Sequence, residues 1–202
     1  MPLILASEFS DSFDKTQKLL GPDVNKKTVT IIPTAAHGEG WEPNPETNIH
    51  PFEKLGIKTT IFDIKGKSPD NVYKQIMSSD IIYVCGGNTF YLLKYMNDCN
   101  FKNALMAFLE NDGIYIGSSA GAIVMSPDIS FITEMDDPSV INLNDNNGLS
   151  MIDFYFLPHL DHNELGVAAH KIIKQYQRQK ETLVALKDNQ ALYIKDNIVR
   201  YI

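Results

Sequence analysis

Short apolar runs that end on small or polar residues, each followed by a helical stretch, constrain this chain more than any other feature. Between Leu3 and Val124 they are Leu3–Ala6, Thr28–Pro33, Lys58–Ile64, Asp80–Cys85 and Ile114–Ile116. The second lacks polar alternation after Val29, which is the mark of a strand buried on both faces. Helices are expected between the strands: Ser10–Leu20, stopped by Gly21 and Pro22, then Glu46–Leu55, closed by Gly56. Ser68 as N-cap and Pro69 in the first turn start another that runs to about Ser78. Phe90–Met96 and Phe101–Glu110 complete the set. Strands alternating with helices predict a mostly parallel sheet with helices on both faces, an α/β fold.

After Val124 the pattern loosens. Ser126–Ser150, with Pro127, Pro138 and the Asn-rich run 142–148, reads as loops carrying one or two short strands. Phe154–Pro158 reads as a strand and about Glu164–Lys180 as a long helix. Thr182–Leu186 and Ala191–Ile194 flank the polar turn Lys187–Gln190, and Ile198–Ile202 reads as a final edge strand. These closing strands are expected to extend the same sheet in antiparallel fashion. No internal repeat or linker interrupts the chain, so one domain over residues 1–202 is expected.

Bulk properties exclude several function classes. A net charge of −7 without clustered Lys and Arg argues against nucleic acid and against an anionic membrane surface. Two cysteines in 202 residues do not make a disulfide scaffold, and free thiols in a reducing compartment are expected. With neither a signal-like start nor an apolar stretch near 18 residues, a cytoplasmic protein is the expectation.

The chemistry-bearing stretch is Gly117-Ser118-Ser119-Ala120-Gly121, a Gly-x-Ser-x-Gly between an apolar strand and the helix-like Ala120–Val124. That context is a nucleophile elbow. The glycines are needed because a side chain at either place would strike the neighbouring strand or helix, and the helix start behind the serine offers N–H groups to an oxyanion. The bland reading is close helix–sheet packing by small residues.

A serine nucleophile needs a base and usually an acid that orients it. Of His37, His50, His159, His162 and His170, His159 follows a buried strand and Pro158, where a side chain is presented at the sheet's C-terminal edge; His162 is next best. Two acids compete, Asp188 in the Lys187–Gln190 turn and Glu134 downstream of the elbow, and a solvated loop carboxylate is the plain alternative for either. Gly86-Gly87-Asn88 follows a buried strand. Its backbone N–H groups could complete an oxyanion hole with that of Ala120, or it is only a tight turn. His159, Asp161 and His162, with His37 and Glu39, could in principle hold zinc. No H-E-x-x-H or paired C-x-x-C accompanies them, so neither metal nor cofactor is expected.

Cys85-Gly-Gly-Asn-Thr-Phe-Tyr-Leu-Leu93 with Ile116-Gly-Ser-Ser-Ala-Gly-Ala122 resembles the serine peptidases of family S51, which contains aspartyl dipeptidase (peptidase E) and cyanophycinase. Leu157–Asp161 resembles the segment of that family's histidine, and Asp188–Leu192 the turn of its acid, usually Glu. The resemblance implies Ser119 as nucleophile, His159 as base and Asp188 as orienting acid, with Glu134 as second choice. It implies an oxyanion hole at Gly87 and Ala120, and Asn88 and His162 near substrate. The implied fold is a three-layer α/β/α sandwich, flavodoxin-like and related to the class I glutamine amidotransferase domain. A dipeptidase-like enzyme acting on short peptides, monomer or homodimer, is the resulting expectation. A non-catalytic relative binding a small peptide or metabolite is the second reading. There are departures: Asp stands where Glu is usual, and Gly166–Ile173, where an Arg for an N-terminal Asp would be expected, offers only His170 and Lys171. The first Arg is Arg178.

Overall fold

The computed structural model describes residues 2–41, 45–176, 182–196 and 198–202. The chain opens with β1 (Leu3–Ala6) and α1 (Phe9–Thr16), whose last turn tightens into a 3-10 turn at Gln17–Leu20. Glu8 caps α1 by accepting from the Ser10 N–H. β2 (Thr28–Ile32) leads to a 3-10 turn at Thr34–Glu39, then α2 (Pro45–Glu53) and β3 (Lys58–Ile61). α3 (Pro69–Met77) starts as its sequence dictates, with Ser68 accepting from the Asn71 N–H and Pro69 in the first turn. β4 (Ile81–Val84), α4 (Thr89–Asp98), α5 (Phe101–Glu110) and β5 (Ile114–Ser118) follow, and β5 runs into the one-turn helix α6 (Ala120–Ile123).

These strands build a seven-stranded sheet in the order β3-β2-β4-β5-β1-β8-β9, where β8 is Ala191–Lys195 and β9 is Ile198–Tyr201. β3, β2, β4, β5 and β1 are parallel, while β8 joins β1 and β9 joins β8 antiparallel. Strand period two divides the core into two layers. Ile81 and Tyr83 of β4 pack with Phe9, Phe13 and Phe52 of α1 and α2, whereas Ile82 and Val84 pack with residues of α3, α4, α5 and α6. The chain is a three-layer α/β/α sandwich. Phe9 stacks 4.8 Å from Tyr83 and 5.6 Å from Phe52, and aromatic pairs of this kind add about 0.5–1.5 kcal/mol beyond their area burial. The cluster anchors the segment that carries Ser7 and Glu8 from β1 toward the C-terminal edge of the sheet.

Two expectations differ from the structure. Ser126–Ser150 forms 3-10 turns at Ser130–Ile132 and Pro138–Val140 and a single bridge between Asp128 and Asn147, rather than short strands. Prolines and clustered Asn favour local turns over a ladder there. Of the closing strands, only β8 and β9 extend the main sheet. β6 (Tyr155–Leu157) and β7 (Leu183–Ala185) pair in parallel as a separate two-stranded sheet. Between them lies α7 (Leu165–Tyr176), and the expected helix end at Lys180 lies outside the described residues. The reason is topological: the helix crossover returns β7 to run parallel beside β6. Phe156 and Leu157 are buried in the α6-side layer, and the Phe156 N–H donates to Ser126 Oγ. No helix among the described residues is long and apolar enough to cross a membrane.

Candidate active site

Ser119 sits between β5 and α6 with φ 49° and ψ −112°. A non-glycine residue rarely holds such a backbone, and holding it costs on the order of 1–3 kcal/mol, supplied by surrounding structure. The structure shows how. The Ser119 N–H donates to Ala6 O, and a Cβ on Gly117 would lie 2.4 Å from Gly121 O. A Cβ on Gly121 would lie 2.3 Å from Val84 O of the neighbouring strand. Both glycines are therefore required by the backbone that presents Ser119, on the helix side and the strand side respectively.

His159 follows β6 by two residues, is 7% exposed, and also holds a left-handed backbone with φ 64°. Its Nε2 is 2.9 Å from Ser119 Oγ and its Nδ1 is 2.6 Å from Asp188 Oδ1. Asp188 comes from the β7–β8 turn, where its own N–H donates to Asp161 Oδ1 and its carbonyl accepts from the Glu8 N–H. Three distant segments thus form a continuous Ser–His–Asp relay, open to solvent at the serine end.

Glu134 is elsewhere: its carboxylate meets Lys171 at 3.4 Å and Gln175 at 3.5 Å. Asn88 is buried, its Oδ1 capping α4 by accepting from the Tyr91 N–H and its Nδ2 donating to Asp137 O. Its amide is thus engaged in holding α4 to the Asp136–Asp137 segment. His162 lies beside the relay, its ring 5.6 Å from that of His159, with Nδ1 accepting from the Glu164 and Leu165 N–H groups at the start of α7. Gly87 has φ 128°, and a Cβ there would lie 2.4 Å from the Ala35 carbonyl carbon, so packing alone demands glycine. Gly86 is less tightly placed: a Cβ there would be 3.2 Å from that of Ser119, so a side chain would crowd Ser119 without striking backbone. Arg178 lies outside the described residues.

Two residues that sequence reasoning missed matter here. Ser7, fully buried, donates from Oγ to Asp188 Oδ1 at 3.1 Å and accepts the His159 N–H at 2.7 Å. Its signal was present: it is the first polar residue after β1, at the same sheet edge as the serine. Asp136 accepts the Thr89 N–H at 2.8 Å. Burial, helped by the nearby Glu39 charge, pushes its carboxyl up to about 6 against the pull of the Thr89 hydrogen bonds.

The relay opens into a cleft of about 420 Å³ whose walls include Glu39, Trp41, Gly86, Gly87, Ile123, Met135, Asp136, His162 and Leu165. Cys85, next to the glycine turn, is no rival nucleophile, because burial pushes its thiol far up and keeps it protonated. Among the described residues, no group of three or more His, Cys, Asp or Glu is placed to hold a metal ion.

The family model for peptidase family S51 matches residues 3–202. The chain belongs to peptidase family S51. It is accordingly a serine-type peptidase, a hydrolase of peptide bonds. An uncharacterized peptidase of Listeria monocytogenes is 30% identical over 194 residues, covering 96% of this chain and 94% of that protein. A peptidase E of Salmonella arizonae is 29% identical over 160 residues, covering 79% of this chain and 66% of that protein. The crystal structure of a candidate peptidase E from Listeria monocytogenes EGD-e superimposes with a TM-score of 0.90 at 30% identity, over 100% of this chain and 97% of the other. A peptidase from an acI-B1 actinobacterium shares the fold at a TM-score of 0.68 and 19% identity, over 96% of this chain and 83% of the other.

Proposed function

We propose that this S51 peptidase cleaves short peptides, in the manner of a dipeptidase, through Ser119, His159 and Asp188. The observation that carries the reading is the pair of distances on His159, 2.9 Å to Ser119 Oγ and 2.6 Å to Asp188 Oδ1, across three separate segments. In the proposed reaction Nε2 of His159 takes the hydroxyl proton as Ser119 Oγ bonds to the scissile carbonyl carbon. The N–H groups of Gly87 and Ala120 receive the oxyanion. Collapse of the tetrahedral species breaks the C–N bond, and His159 passes its proton to the leaving amine. A water, deprotonated by His159, then attacks the acyl ester and frees Ser119. Asp188 holds the imidazole with Nδ1–H toward it and stabilises the imidazolium.

Glu134 is the weaker choice for the acid, since its carboxylate is directed to Lys171 and Gln175. The cleft volume suits a small peptide rather than an extended polymer. A fluorophosphonate probe tests the nucleophile: it should modify Ser119 in the native protein and lose that reactivity on denaturation or with His159→Ala. Labelling that ignores the fold would count against the mechanism.

A further inference from the structure

We infer that Asp63, which does not line the cleft, is a positioning residue for the peptidase. Through Thr34 and His37 it holds the Thr34–Glu39 turn against Gly87, and thereby sets where an oxyanion donor stands. The inference rests on the peptidase reading above, with the Gly87 N–H as one of the two oxyanion donors, and deepens it.

Asp63 follows β3 by two residues and is half-buried. Both its oxygens are engaged. Oδ1 accepts from Thr34 Oγ1 at 2.7 Å and from the Lys65 N–H at 2.9 Å, and Oδ2 is 2.8 Å from His37 Nε2. Thr34 is fully buried, and its hydroxyl also accepts the Ile64 N–H. Burial works to raise the Asp63 carboxyl, but the Lys65, Thr34 and His37 hydrogen bonds together outweigh it and leave it below the usual carboxylate value. Hydrogen bonds to an ionised group are about twice as strong as neutral ones. One carboxylate thus clasps the connection after β3 to the turn after β2.

The plain reading of such a clasp is a polar cluster satisfied by its neighbours. What the clasped turn touches goes further. Ala35 O accepts the Asn88 N–H at 3.0 Å, and a Cβ on Gly87 would lie 2.4 Å from the Ala35 carbonyl carbon and 2.6 Å from Ala36 N. A Cβ on Gly38, later in the same turn, would lie 2.5 Å from Asn88 Cβ. The turn and the Gly87–Asn88 backbone are in direct contact without slack, at the φ of 128° that Gly87 holds. Gly87 lines the cleft with Ser119, whereas Thr34 and His37, like Asp63, do not. Close-packed interiors transmit a displacement rather than absorb it, so a shift of Ala35 is passed to Gly87. An oxyanion donor must stand within about 3 Å of the developing charge, and a misplacement of about 1 Å can cost about 10²-fold in rate.

The test is steady-state kinetics of the intact protein on a cleaved dipeptide, with folding checked by circular dichroism. Asp63→Ala should lower kcat by about tenfold or more with KM within about twofold of wild type, because an oxyanion donor acts in the transition state. Fluorophosphonate modification of Ser119 should slow in step, since the phosphoryl oxygen takes the same hole. Asp63→Asn keeps an oxygen for Thr34 and Lys65 and should recover most of the lost rate. His37→Ala, which removes one tie of the turn, should fall between wild type and Asp63→Ala, and it decides the matter if Asp63→Ala does not fold. Wild-type kcat in folded Asp63→Ala or in His37→Ala, a loss carried by KM, or no recovery in Asp63→Asn would each overturn the inference and leave the peptidase reading intact. No turnover and no labelling by the wild type would overturn both.

Discussion

Nδ1 of His159 and Oδ1 of Asp188 lie 2.6 Å apart, although their segments are separated by the whole of α7. That contact favours Asp188, rather than Glu134, as the acid of the proposed relay. Replacing it with Asn should lower kcat by about 10³- to 10⁴-fold through loss of the oriented imidazole, as in other serine relays. Glu134→Gln should stay within about threefold of wild type, since surface pairs such as Glu134–Lys171 contribute little. Steady-state kinetics on any cleaved dipeptide decides between the two acids.

Ser7 is expected to be a positioning residue. Ser7→Ala removes a donor to Asp188 and leaves the buried His159 N–H without its acceptor. Such an orphaned group costs about 1–3 kcal/mol, so urea unfolding should show a loss of that size. Activity should fall at the same time with KM little changed, because the hydroxyl lies behind the relay and does not line the cleft.

Gly121→Ala should destabilise the protein by about 1–3 kcal/mol or more, since its methyl would stand 2.3 Å from Val84 O, a backbone atom that cannot rotate away. Gly40→Ala is the contrasting case. Nothing lies within 4 Å of its Cβ position, and only the left-handed φ of 72° opposes the change, at a cost of about 1 kcal/mol. Chemical denaturation of the two variants side by side measures the difference.

The raised Asp136 carboxyl predicts a pH signature of stability. Its unfolded value is near 3.8 and its folded value about 6, so a stabilising contribution present below 3.8 is lost as pH rises through 6. Asp136→Asn lacks this titration. The melting temperature of the variant relative to wild type should therefore rise between pH 4 and pH 6 and level off above. A difference that stays flat across that range would show that Asp136 titrates normally.

Much of this arrangement was legible from local sequence. The strand-then-glycine pattern around Ser119 dictates its own geometry, because Gly117 and Gly121 answer to contacts with the very next elements. His159 stood out because it follows a buried strand and Pro158, although that strand, β6, belongs to the separate two-stranded sheet rather than to the one that carries Ser119. What local pattern could not give was partnership across the chain. β7 pairs with β6 instead of the main sheet because α7 carries it back, and three-residue strands hold too little pattern to name a neighbour. Asn88 was expected near substrate, and its sequence did not show that its amide caps α4 and holds Asp137 O, since an Asn after a glycine turn fits either role. Asp136 was hidden beside Glu134 in one acidic run, where only the fold decides which carboxylate faces the cleft and which faces Lys171.

The central claim is that Ser119 is the nucleophile of a peptidase acting on short peptides. Its most direct test is hydrolysis of a dipeptide library by wild type and Ser119→Ala side by side. Wild type should release amino acids from a defined subset, and the variant should be slower by about 10⁶-fold, in effect inactive. A variant that kept the wild-type rate on a cleaved peptide would contradict the account.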